Sequence, residues 1–142
     1  MILLDVNLLL YAYDASSKDH DRAARWLEEV LSRQSIVGLA WETILAFLRI
    51  TTHPKILSEP YTLEEAMDVV AGWIARPNVA VVGPTEQHWA VLSRLLPKSR
   101  VRGSLIMDSH LAALAIEHGA TLYTNDRDFE RFPGLNVEYP LQ

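Results

Sequence analysis

An α/β fold, a mostly parallel central sheet of four to five strands with helices on both faces, is predicted by three observations. Apolar runs of strand length alternate with longer segments of helical apolar spacing along the whole chain, and strand–helix alternation builds a parallel sheet that helices must cover. Acidic residues stand where several of these segments meet turns. The length of 142 residues, 49% of them hydrophobic, suits one domain with a real core and is too short for two.

Ile2 to Leu4 read as a buried strand, and the stretch from Asn7 through Leu8-Leu9-Leu10-Tyr11-Ala12-Tyr13 as a turn into a buried helix, with Asp5 at the junction. Ala23, Trp26, Leu27, Val30 and Leu31 recur at helical spacing among charges, the pattern of an amphipathic covering helix. Ser35 to Leu39 form a second strand, followed by a helix from about Trp41 to Ile50 that stops before His53-Pro54. Thr62-Leu63-Glu64-Glu65 fits a capping box, where a threonine and the glutamate three residues on satisfy free amides at a helix start; that helix runs to about Ala75. Asn78 to Val82 give a third strand, Pro84-Thr85 open a helix through Leu96, and Pro97 to Gly103 make a basic loop. A helix from Leu105 to His118 stops at Gly119, then Thr121 to Thr124 and Asn136 to Tyr139 supply a fourth and a fifth strand.

Several function classes fall away on composition. The absence of cysteine excludes disulfides, thiolate zinc sites and cysteine nucleophiles, and fits a reducing cytoplasm. No basic leader or membrane-length apolar run is present, so neither export nor a membrane location is expected. The net charge of −5 argues against indiscriminate coating of DNA. Local basic groups remain, Arg94, Lys98, Arg100 and Arg102 around one loop and Arg22, Arg25, Arg49 and Lys55 on or beside early helices. The five histidines form no helical zinc motif. His110, two residues after Asp108, points away from it and suits a surface or supporting place, and His118 suits a helix carboxyl end. The four tryptophans sit in apolar helical patterns that favour packing over base stacking. No glycine-rich phosphate loop or nucleophile elbow is found.

Asp5 and Asp126 fall at the carboxyl ends of the first and fourth strands, and Glu42 and Asp108 in the first turns of apolar helices. Each alone is explained as a cap, a turn residue or a helix-dipole partner. Ligands of open α/β sheets bind at the carboxyl ends of strands, so all four can meet there. Together they would repel one another and bind protons more tightly unless a divalent cation neutralised them.

Four segments carry a family resemblance: Asp5-Val6-Asn7-Leu8-Leu9-Leu10-Tyr11-Ala12-Tyr13; Glu42 in Trp-Glu-Thr-Ile-Leu-Ala-Phe-Leu-Arg-Ile; Asp108-Ser109-His110-Leu111-Ala112-Ala113-Leu114-Ala115; and Thr124-Asn125-Asp126-Arg127-Asp128-Phe129. In this order and spacing they resemble the PIN-domain family, most closely its VapC-type toxin ribonucleases, over essentially the whole chain. The resemblance implies a single PIN domain over residues 1–142, a PIN-like three-layer sandwich. It further implies an endoribonuclease dependent on Mg²⁺ or Mn²⁺, homodimeric and restrained by a cognate VapB-type antitoxin. Asp5, Glu42, Asp108 and Asp126 match the acidic quartet, Asp128 a further and less regular acid, and Asn7 and Thr124 polar neighbours of the site. Asn7 replaces the serine or threonine of many members; its amide can still orient a carboxylate.

All-oxygen ligands suit Mg²⁺ or Mn²⁺, as one ion or two. Asp5 and Asp108 are expected as direct ligands, because each projects from an element fixed by packing. Glu42 and Asp126 would support them, either one able to act as base, and hydrolysis would leave 5′-phosphate and 3′-hydroxyl ends. Rival readings are a PIN-fold RNA- or protein-binding module without catalysis, and a PIN nuclease of RNA processing or DNA cleavage outside a toxin–antitoxin pair. A receiver-type acidic pocket is disfavoured, since no lysine follows Lys98.

Overall fold

The computed structural model describes residues 1–142. Five strands, β1 (Ile2–Leu4), β2 (Val37–Ala40), β3 (Val79–Val82), β4 (Thr121–Tyr123) and β5 (Asn136–Glu138), pair in the order β3-β2-β1-β4-β5, every pair parallel. Six α-helices cover them: α1 (Val6–Tyr13), α2 (His20–Leu31), α3 (Trp41–Thr51), α4 (Leu63–Ile74), α5 (His88–Ser99) and α6 (Leu105–Glu117). A short 3₁₀ helix, Arg127–Arg131, follows β4.

The three layers follow from the two-residue period of the strands. Ile2 and Leu4 point into one core with Leu8, Leu9, Leu27, Phe47 and Trp73 from α1 to α4. Leu3, between them, points into the other core with Leu95 of α5, Ala112 and Leu114 of α6, and Phe129. All three residues of β1 are buried, as the central strand of a sheet covered on both faces must be. Gly38 of β2 leaves room for this packing, since a Cβ there would stand 3.3 Å from the Leu3 side chain.

From β1 the chain moves outward to β2 and β3 with α1 to α4 on one face, then returns beside β1 to lay β4 and β5 with α5 and α6 on the other. Reversing direction and face together keeps one hand for every crossover, as chain twist requires. The reversal leaves a crevice between the carboxyl ends of β1 and β4, the topological switch point where open α/β sheets bind ligands.

Local signals decided most boundaries. Thr62 forms both halves of its capping box with Glu65. The helix expected from Pro84-Thr85 begins later, at His88, because residues 84–87 turn instead: the Thr85 amide donates to the Glu117 carboxylate at 2.7 Å and that of Gln87 to the Thr85 hydroxyl at 3.1 Å. At its other end α5 runs past Leu96 through Pro97 to Ser99. Arg100 then breaks it with a left-handed φ of 53°. His118 ends α6, but its Nε2 lies 2.8 Å from the Gly83 carbonyl after β3 rather than on a carbonyl of its own helix. No helix is long and apolar enough to cross a membrane.

Aromatic packing ties the four-helix face together. Phe47 of α3, fully buried, meets Trp73 of α4 and Tyr13 of α1 edge-on, with ring centroids 4.7 and 5.5 Å away. Phe47→Ala would open a cavity at this three-way joint and is expected to lower unfolding free energy by about 3–5 kcal/mol. Urea denaturation checks this; a loss under about 1 kcal/mol would mean that the joint collapses around the gap.

Candidate active site

Asp5 follows β1 directly and caps α1, its Oδ1 accepting the Val6 amide at 2.7 Å. Strand pairing continues through it, for the Asp5 amide donates to the Tyr123 carbonyl at 3.0 Å. Its Oδ2 accepts the Thr124 hydroxyl at 2.6 Å and the Asn7 amide at 2.9 Å. Burial nevertheless raises the proton affinity of Asp5 above the ordinary carboxylate value; the Thr124 and Val6 hydrogen bonds oppose the rise, and Asp126 adds to it. Desolvation thus outweighs three donors.

Thr124, fully buried at the end of β4, is the hinge of this arrangement. Its Oγ1 donates to Asp5 and accepts the Asn7 side chain at 3.2 Å and the Asp126 amide at 3.0 Å. That uses the whole capacity of a hydroxyl. Asn7 completes the frame by accepting the Asn125 amide on its Oδ1 at 3.2 Å. The amide expected to orient Asp5 therefore also joins the end of β1 to the turn after β4. Asp126 caps the 3₁₀ helix, its Oδ1 accepting the Asp128 amide at 2.8 Å. Asp128 is exposed, with Arg131 3.6 Å from its carboxylate.

Asp108, in the first turn of α6, completes an acidic cluster. Desolvation and, after it, repulsion from Asp5, Asp126 and Asp128 push its pKa from 3.8 up to about 6, against a smaller opposing pull from Arg131. Carboxylates that repel across one crevice are what a cation relieves. No three Asp, Glu or His side chains already stand as a chelating group, but Mg²⁺ keeps several waters and takes one or two carboxylates. The all-oxygen donor set and the repulsion around Asp108 both fit such an ion.

Glu42 stands apart. Because β2 passes into α3 without a loop, Glu42 is carried to the same edge of the sheet, yet its Oε1 lies 2.9 Å from His110 Nε2. It is not among the charges that shift Asp5 or Asp108. The contact between His110 and Glu42 joins residues far apart in the chain, which no local pattern signals. Arg131 was also missed, although its place three residues after Asp128 becomes a signal once the segment is known to be a tight helix. Among the tryptophans, Trp73 is buried and Trp26 stacks on Tyr123 with centroids 5.9 Å apart, whereas Trp41 and Trp89 are exposed.

A buried carboxylate at the switch point of a parallel sheet, with two more acids repelling across the crevice, defines an acid-site α/β domain. The model of the PIN domain matches residues 2–135, and the chain belongs to that family, in its VapC-type branch. It is 40% identical to Ribonuclease VapC37 of Mycobacterium tuberculosis over 140 residues, 99% of this chain and 97% of the relative. Solved structures share the fold at lower identity. VapBC2 from Rickettsia felis, bound to a promoter DNA fragment, superposes with a TM-score of 0.70 at 20% identity, covering 97% of this chain and 98% of that one. Mycobacterium tuberculosis VapC20, a sarcin-ricin loop cleaving toxin, gives 0.68 at 16%, covering 96% and 99%.

An acid whose folded-state pKa is raised favours folding while protonated, so the Asp108 contribution falls as pH rises from 3.8 through about 6. In metal-free protein, Asp108→Asn is expected to raise the melting temperature by about 2–5 °C near pH 7.5, after discounting for partial exposure, and by almost nothing near pH 4. Calorimetry at the two pH values checks this; equal shifts at both would show that ionisation of Asp108 is not the source.

Proposed function

We propose that the protein is a Mg²⁺- or Mn²⁺-dependent endoribonuclease and the toxin of a VapBC-type toxin–antitoxin pair, acting in the cytoplasm. The observation that carries the reading is the crowding of Asp5, Asp108 and Asp126 at the β1/β4 crevice, with the Asp108 pKa near 6. Relatives named VapC ribonucleases, aligned over nearly the whole chain, support RNA as substrate. A bound divalent ion would supply positive charge to the scissile phosphate and its leaving oxygen and make water a better nucleophile near neutral pH. Asp5, held by Val6, Asn7 and Thr124, and Asp108 would hold that ion. Asp126 lies close enough to Asp108 to raise its proton affinity and, like Glu42, would assist as base. Arg131, beside Asp128 and felt by Asp108, is placed to pair with a flanking phosphate of the substrate.

Purified protein freed of antitoxin is expected to cut a panel of structured and single-stranded RNAs in Mg²⁺ or Mn²⁺, leaving 5′-phosphates, and to stop in chelator. Asp5→Asn and Asp108→Asn should each slow cutting by at least ~10²-fold, the scale of removing one preorganised electrostatic group. Metal-independent cutting, or full activity in both variants, would refute the assignment; cutting of a parallel DNA panel at equal rate would reassign the substrate.

Exposed apolar side chains support the two partners. Trp41 and Leu45 lie one turn apart on α3 and are more than half exposed, and Ile106 and Met107 are exposed immediately before Asp108. Such side chains beside a polar site fit surfaces that another chain covers. We assign the α3 pair to a homodimer and the acidic mouth to an antitoxin segment that offers a basic side chain to the carboxylates. Light scattering is expected to give twice the 16.1 kDa chain mass for the wild type. Leu45→Glu should weaken association at least ~10-fold, as burying an unpaired charge in an interface does. A monomeric wild type, or an undisturbed dimer in Leu45→Glu, would remove this surface from the interface.

A further inference from the structure

Four side chains that the acidic cluster does not use form one continuous line through the helix layer of α5 and α6. Glu42 Oε1 lies 2.9 Å from His110 Nε2. His110 Nδ1 lies 2.8 Å from His88 Nε2, and His88 Nδ1 2.7 Å from Glu117 Oε2. The remaining oxygen, Glu117 Oε1, accepts the Thr85 amide at 2.7 Å. The line thus starts at the mouth of the site and ends on backbone at the start of α5.

Helix geometry sets this up. His110 and Glu117 are seven residues apart, two turns of α6, and so share a face. His88, the first residue of α5, sits between them in space, its ring edge-on to that of His110 with centroids 4.7 Å apart. The Glu117 side chain is only 1% exposed, against 39% for Glu42. Packing needs no carboxylate at position 117, and burying one is costly unless its oxygens are satisfied. Both are, by His88 and Thr85. His110 Nε2 is also buried and has no well-aligned hydrogen-bond acceptor, although the Glu42 carboxylate is within reach. The Glu42 contact is thus a short ion-pair approach rather than an aligned hydrogen bond.

We propose that His110, His88 and Glu117 are positioning residues for Glu42: a brace, anchored on the Thr85 amide, that holds the Glu42 carboxylate at the sheet edge that carries the acidic cluster. The functional consequence rests on the ribonuclease reading; the brace itself does not. An imidazole relays a hydrogen bond in either sense, one nitrogen donating and the other accepting. With a carboxylate at each end, closing all three contacts takes one N–H more than two neutral imidazoles carry. Glutamine at position 117 would supply it, donating to His88 Nδ1 so that His88 Nε2 donates to His110 Nδ1 and His110 Nε2 to Glu42. Alanine would break the line.

Long-range ¹H–¹⁵N spectra of the histidine rings read the brace without any activity. Glu42→Gln is expected to move the ring signals of His88 as well as those of His110, although His88 does not touch Glu42. Glu117→Gln should take the proton off His88 Nδ1 and leave both rings protonated at Nε2 alone, and Glu117→Ala should give neither that pattern nor the wild-type one. Unchanged His88 signals in Glu42→Gln would overturn the brace, whether or not the protein cuts RNA. In the cleavage assay, His88→Ala and Glu117→Ala should lower kcat about 10-fold, at the low end for disturbing a positioned group, with KM nearly unchanged. Glu117→Gln should retain most activity. In a Glu42→Gln background, His88→Ala should cost nothing further. Equal losses in Glu117→Gln and Glu117→Ala, or a full additional loss from His88→Ala without Glu42, would show a merely structural role and overturn the proposal. Wild-type protein that cuts no RNA but shows the coupled ring signals would remove the nuclease reading and leave the brace standing.

Discussion

The structure turns on a carboxylate kept where water is scarce. Asp5 stands at the end of the central strand, at the point where the sheet reverses its winding, and burial makes its ionisation unfavourable despite three hydrogen-bond donors. The donors do not remove the electrostatic cost; they decide where it is held. Thr124 and Asn7 come from the two strand ends that flank the crevice, so the hydrogen bonds that orient Asp5 also fasten β1 to the turn after β4. Fold and site share these contacts, and neither can be loosened without the other.

Around that fixed point the other acids are held with differing firmness. Asp126 is tied by the turn it caps. Asp108 depends on α6, whose buried face of Leu111 to Ala115 seats the helix on the sheet, and it feels every negative neighbour in the crevice. Glu42, its side chain 39% exposed, leans on a histidine rather than on the other acids. The repulsion is therefore spread unevenly over the crevice, strongest on Asp108 and opposed there by Arg131.

Much of this was legible from residues alone. Strand and helix periods carried the element order, and Ile2 to Leu4 reads as a fully buried central strand because three apolar residues in a row leave no face for water. Asp5 and Asp126 could be placed together, since ligands of open α/β sheets gather at the carboxyl ends of strands, whereas Asn7 and Thr124 were legible only through the family resemblance. Local hydrogen bonding without periodicity was less visible. The turn at residues 84–87 depends on Glu117, thirty-two residues away, and no window along the chain contains both partners. The line from Glu42 to Glu117 was hidden for the same reason: it joins three helices, and each histidine taken singly is an ordinary helical residue. Asp128 read equally well as site or surface, and its geometry has both aspects, exposed and paired with Arg131 yet near enough to perturb Asp108.

The direct joins at the acidic edge have a bearing on how such a protein diversifies. Asp5 alone separates β1 from α1, and nothing separates β2 from α3. One residue inserted between Ala40 and Trp41 would rotate α3 by about 100° about its axis and turn Glu42 away from its neighbours. This edge can therefore change by exchanging side chains but scarcely by gaining or losing chain length. The segments between α3 and α4 and between α5 and α6 carry no such constraint. Chain could be added or removed there without turning any of the four acids about its helix or strand.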